Sequence, residues 1–104
     1  MPPETQKGHV DLLLLSVLES DPAHGYALVE ALRERSEGVF ELAEGTVYPA
    51  LYRLERKRLV ASTWSTVGGR RRRVYRLTAR GGRELSRQRS EWRTYARAVE
   101  AVVA

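Results

Sequence analysis

Cysteine is absent from the 104-residue chain, and that one absence excludes disulfides, thiolate metal sites and thiol-based switches together. Histidine is nearly absent as well, with only His9 and His24. Without cysteines, an HxxxH spacing or paired carboxylates to help them, two histidines make a poor metal or acid–base site. His24 is expected instead to satisfy backbone groups at a helix start. Gly25, Gly38 and Gly45 stand alone, so neither a P-loop nor a dinucleotide fingerprint can be traced. These gaps argue against an enzyme, and no metal or cofactor is expected. Apolar runs are short too. None exceeds four residues, as at Leu12–Leu15, far below the roughly 20 needed for a membrane span. The opening MPPETQKGHV has no cleavable apolar segment, which predicts a chain that stays in the cytoplasm.

What is present is ordinary in amount and uneven in placement. An apolar content of 42% suits a single globular domain and argues against disorder. The net charge of +5 hides a division. Residues 1–50 hold three Lys/Arg against nine Asp/Glu, or −6, and residues 51–104 hold fifteen against four, or +11. An acidic scaffold half and a basic half that meets a polyanion would produce this split. A solvated basic surface would produce it as well, and charge does not separate DNA from RNA or an acidic membrane.

Taken in order, residues 1–8 carry Pro2, Pro3 and Gly8 and read as a flexible N-terminal tail. Apolar residues from Val10 to Leu18 predict a largely buried helix, with Asp11 near its positive end and Ser20-Asp21-Pro22 as its stop. A second helix over about residues 24–35 places Tyr26, Leu28, Val29 and Leu32 on its apolar stripe. Ser36-Glu37-Gly38 ends it. Val39, Phe40 and Leu42 form a linker with room for one strand-like bridge.

The third helix is the stretch EGTVYPALYRLERKRLV at residues 44–60. Val47, Ala50, Leu51 and Leu54 fall at helical spacing and should pack inward. Pro49 is tolerable only if the helix begins near Glu44 or Gly45. After Leu59 the pattern turns to β-formers, and Gly68-Gly69 between two such runs signals a hairpin. Thr78 suits the N-cap of a last helix. That helix carries a heptad seam of Leu85, Gln88, Trp92, Tyr95, Val99 and Val102, which usually seeks a partner helix. The fold class is therefore mainly α with a small β-hairpin. Its organisation is a winged helix-turn-helix over residues 9–78 with a C-terminal dimerisation helix over residues 79–104.

The third helix carries the candidate chemistry. Arginine reaches guanine edges, while threonine, tyrosine and backbone amides clamp phosphates. Gly45, Thr46, Tyr48, Pro49, Tyr52, Arg53 and Lys57 supply that mixture. The bland alternative is an amphipathic surface helix whose tyrosines are core. On the hairpin, Gly69 lets the backbone approach a phosphate, and Arg70, Arg71, Arg72 and Arg73 alternate in direction. They suit phosphates or a narrow minor groove; a solvated edge that discourages sheet pairing, or an import-like basic patch, is the other reading. Trp64 is assigned to packing. Trp92 either fills the dimer core or forms the flat wall of a site for a small aromatic effector.

Three stretches together resemble the PadR family of bacterial transcriptional regulators: LLLLSVLESDPAHGYALVEAL, EGTVYPALYRLERKRLV and GGRRRRVYRLTARG. The likeness runs from about residue 8 to residue 83. HGY at 24–26, GTVYPALYRLE at 45–55 and YRLT at 75–78 are its most specific parts. The single short C-terminal helix is similar to the smaller subgroup of that family. The resemblance implies a homodimeric winged-helix repressor that binds an inverted repeat in double-stranded DNA and responds to aromatic or hydrophobic compounds. It assigns Gly45, Thr46, Tyr48, Pro49, Tyr52 and Arg53 to the recognition element, and Gly69 with the arginines after it to the wing tip. Two departures stand out. Ala43 replaces a serine that would cap the recognition helix, and Arg71 replaces a proline in the wing. Readings from other classes are a non-specific basic nucleic-acid binder and an effector-sensing or protein-interaction module that no longer reads DNA.

Overall fold

The computed structural model describes residues 3–104, with side chains described from His9 onward. The elements are α1 (Pro3–Ser20), β1 (Ala23–His24), α2 (Gly25–Arg35), α3 (Glu44–Arg56), β2 (Val60–Val67), β3 (Arg70–Leu77) and α4 (Ala79–Val103). The strands form one antiparallel sheet in the order β1-β3-β2. This is a mainly helical winged helix-turn-helix fold with an added C-terminal helix, as expected, except that the sheet has three strands instead of two.

The first helix is α1 (Pro3–Ser20); the tail expected over residues 1–8 falls outside the residues described in full, which begin at His9. Val10, Leu14, Leu15, Val17 and Leu18 are buried, with Leu12 and Leu13 packed beside them. The helix stops at Ser20, before Asp21-Pro22.

His24 caps α2 through its side chain: Nδ1 accepts from the Ala27 N–H at 3.3 Å. Leu28 and Leu32 face the core. Tyr26 does not; it is 50% exposed, because two residues before Leu28 lies on the other side of a 3.6-residue turn. At the far end Gly38 has φ +88 and its N–H donates to the Arg33 carbonyl at 2.8 Å, a left-handed helix stop. No strand forms over Val39–Leu42. The Phe40 N–H donates to Ser36 Oγ at 2.8 Å, and only Leu42 of that segment is buried. The short bridge lies instead at Ala23–His24, paired with Tyr75 and Val74.

The hairpin runs in register from Val60↔Leu77 to Val67↔Arg70. Gly68 and Gly69 both have positive φ, 59° and 78°, the requirement of a two-residue turn between twisted strands. Thr78 then joins three elements. Its hydroxyl donates toward the carbonyls of Arg58 (2.8 Å) and Leu59 (3.0 Å) and accepts from the Gly81 N–H at 2.9 Å, opening α4. A Cβ on Gly81 would collide with the Leu59 carbonyl oxygen, so only glycine lets α4 pass this close.

Candidate nucleic-acid interface

Val47, Ala50, Leu51 and Leu54 bury one face of α3 against the core. Successive residues turn by about 100°, so Gly45, Pro49, Tyr52 and Arg56 fall on the opposite, solvent-facing side. All four are exposed. Arg56 lies over the Tyr52 ring, its Cζ 5.7 Å from the centroid. It belongs to the outward face but was missing from the sequence-derived recognition set, although its i+4 spacing from Tyr52 was available to place it.

The helix starts without side-chain help. Ala43 is its N-cap and makes no side-chain cap bond; the Ala43 carbonyl accepts from the N–H groups of Thr46 (2.9 Å) and Val47 (3.1 Å). Glu44 in the first turn complements the positive helix end. Pro49 removes the N–H that would reach the Gly45 carbonyl. Both residues are exposed, so water can replace that bond.

The remaining residues expected in the recognition element sit on the flanks of α3. Tyr48 packs against the first residue of α2: a Cβ at Gly25 would lie 2.6 Å from the Tyr48 hydroxyl oxygen. Its exposure is 41%, so the ring joins two helices while keeping one edge in water. On the other flank Arg53 forms an ion pair with Asp11 of α1 at 2.6 Å. The half-exposed guanidinium ties α3 to α1 with one of its five donors and keeps others free. Thr46 is exposed, and Lys57 closes the helix as its C-cap. Tyr52, Arg53, Arg56 and Lys57 together line a shallow depression of about 390 Å³.

Strand alternation divides the wing arginines. Arg73 opposes Trp64 and Arg71 opposes Thr66, on the face that also carries Ser62 and Tyr75; Arg70 and Arg72 belong to the other face. Tyr75 is buried, which pushes its hydroxyl pKa above the ordinary tyrosine value. Arg73 donates from Nε to Ser62 Oγ at 2.8 Å, Ser62 donates to Glu55 at 2.7 Å, and Arg73 lies 3.8 Å from the same carboxylate. Arg73 thus braces the wing on α3. Trp64 corrects its assignment to packing. It is 55% exposed, with Arg71 and Arg73 at 5.3 and 5.5 Å from its ring centroid. It pairs with an exposed strand, where the sheet has no second layer to bury an indole. Burial, and next the charge of Arg72, lower the His24 pKa.

Leu85 also requires correction. It was expected on the free seam of α4, but it is fully buried in the core of this same chain, because the first turns of α4 pack onto the winged domain. Beyond them Trp92, Tyr95, Val99, Val102 and Val103 are exposed. Trp92 meets His9 edge-on at 4.9 Å and lies 6.1 Å from the Tyr95 ring. A groove of about 390 Å³ between α1 and α4 has an aromatic and apolar part, His9, Leu12, Trp92 and Tyr95, and a polar part, Asp11, Arg87, Gln88 and Glu91; Asp11 is also the partner of Arg53. On the α4 wall of the same groove, Arg87 bridges Glu84 and Glu91 at 2.6 and 2.7 Å. Hydrogen bonds from Arg87 and Gln88 hold Glu84 down at about 2. Among the described residues no cluster of histidines and carboxylates is arranged to hold a metal ion, and no helix is long and apolar enough to cross a membrane.

The model of the transcriptional regulator PadR-like family matches residues 14–87. Transcriptional regulator Rv3488 of Mycobacterium tuberculosis is 35% identical over 96 residues, covering 92% of this chain and 87% of that protein. A PadR family transcription regulator from Clostridium difficile superposes with a TM-score of 0.81 at 36% identity, over 92% of this chain and 99% of the other. A transcriptional regulator from Clostridium thermocellum superposes with a TM-score of 0.88 at 26% identity, over 97% and 99%.

Proposed function

The chain belongs to the PadR-like family of transcriptional regulators, and from that premise we propose that it reads double-stranded DNA as a homodimer and represses by occupying an inverted repeat. It is a regulator and not an enzyme. The observation that carries the DNA reading is the outward face of α3, with Gly45, Pro49, Tyr52 and Arg56 beside a hairpin that holds four arginines. A helix of this width enters the major groove, and an adjacent cationic hairpin reaches the backbone or the minor groove. Thr46, Arg53 and Lys57 flank the helix where phosphates would pass. Tyr48 contributes mainly by fixing α3 on α2.

The distal seam of α4 supports the dimer. Trp92, Tyr95, Val99 and Val102 leave an apolar stripe in water that a second copy would cover. Two copies would then present two recognition helices to half-sites about 34 Å apart. Selection of bound sequences from random duplex DNA tests the proposal. A two-fold symmetric site with that spacing, bound roughly a thousandfold better than random duplex, is the expected result. Equal affinity for all sequences would leave a non-specific basic binder. Affinity indifferent to salt would leave a module whose wing does not touch phosphate.

The groove beside Trp92 supports a small planar aromatic effector. Such a compound should quench tryptophan emission in wild type and in Trp64→Ala but not in Trp92→Ala. Equal quenching in the two variants would remove the effector from this groove.

A further inference from the structure

Trp64 is a large aromatic residue that neither the core nor the α4 seam accounts for. It is 55% exposed on a solvent-facing stretch of β2, where burial supplies only part of the stabilisation an indole normally brings. Its neighbours are not apolar. Arg73 lies directly across the ladder and Arg71 at the next same-face position toward the turn, each within about 6 Å of the ring centroid, the range of a cation–π contact.

The two guanidiniums are held differently. Arg73 is fastened below through Ser62 and Glu55 to α3. No carboxylate among the described residues pairs with Arg71, and its contact with Trp64 is what restrains it. The result is a continuous series from the recognition helix to the wing tip: Glu55, Ser62, Arg73, Trp64, Arg71. A free arginine loses much of its rotamer entropy when it is immobilised on a phosphate. An arginine already resting on an indole has lost part of it beforehand.

We propose that Trp64 is a positioning residue for DNA binding, which presents Arg71 to the nucleic-acid backbone in a fixed pose set by the recognition helix. The inference rests on the DNA reading given above.

The test is affinity for a random-sequence duplex across a salt series, measured on the full chain. Trp64→Ala is expected to weaken binding about fivefold and to lower the slope of log affinity against log salt by about one unit, as Arg71→Ala does. In an Arg71→Ala background Trp64→Ala should have no further effect, and Trp64→Phe, which keeps an aromatic face, should restore both affinity and slope. A purely structural indole would give losses that add to those of Arg71→Ala, with the salt slope unchanged. That result, or wild-type affinity in Trp64→Ala, overturns the proposal. Because Trp64→Phe retains the packing, a folding defect in the alanine variant does not hide the answer. If wild-type protein fails to bind duplex at low salt, the DNA reading itself falls and this inference with it.

Discussion

At its N-terminal end α4 lays Gly81 against the Leu59 backbone and sinks Leu85 into the core, whereas past Trp92 the same helix leaves Tyr95, Val99 and an 84%-exposed Val102 in water. One apolar spacing runs through both ends. What differs is the surface each end has to pack on. The 25-residue helix is about 37 Å long, and the winged domain covers only its first turns. A heptad pattern therefore identifies which residues want a partner but not whether that partner is the same chain or another. The proximal end is a matter of folding and the distal end, in our reading, of assembly.

Four measurements sharpen or break this division, in order of size. Gly81→Val should cost more than about 4 kcal/mol, because a branched side chain must enter space held by a backbone carbonyl; thermal or urea denaturation would then find little folded protein. A near-normal midpoint would mean that α4 can lift off the Leu59 backbone, and the proximal end would lose its distinction. Leu85→Ala should cost about 3 kcal/mol through the cavity it leaves, with any oligomer intact at concentrations where the protomer is folded. If Leu85→Ala instead dissociated a fully folded protein, the seam as first traced would stand. Val99→Glu should behave in the reverse manner. It is expected to convert a dimer to a monomer by light scattering and to abolish the concentration dependence of the unfolding midpoint, while changing protomer stability by less than about 0.5 kcal/mol. A persistent dimer would move the interface away from the distal end.

The smallest effect lies within the proximal end, at Glu84. Its folded pKa of about 2 is below the ordinary 4.5, so the unfolded chain binds the proton more readily. The contribution to stability is complete above pH 4.5 and is lost as pH falls toward 2. Solvent screening keeps it slight. Comparing acid unfolding of wild type and Glu84→Gln should show a shallower loss in the variant over that window, and identical curves would leave the Arg87 pairs without thermodynamic weight.

Legibility followed the range of the interactions involved. The buried face of α3, the Thr78 cap and the glycine turn at 68–69 are local patterns, and each was readable from a few neighbouring residues. Ala23–His24 was not readable as a strand, because two residues carry no period and their pairing is set by Tyr75 and Val74, about fifty positions away. Trp64 was misassigned because an indole counts as apolar in any pattern, and only the register reveals the arginines beside it. Arg53 was expected only as a DNA-facing cation and not as a tie to α1, since nothing near residue 53 points to Asp11.

The hydroxyl of Thr78 reaches both ends of this comparison. It touches the carbonyls that follow α3 and the amide that opens α4, so a single oxygen works as the hinge pin between the part that would grip DNA and the part that would pair the copies. In a two-fold assembly the angle at that pin is counted twice, once on each side of the symmetry axis. A few degrees there, carried along α4, would translate into ångströms between the two recognition helices. The span of the operator would then be a property of this joint, set before any base is read.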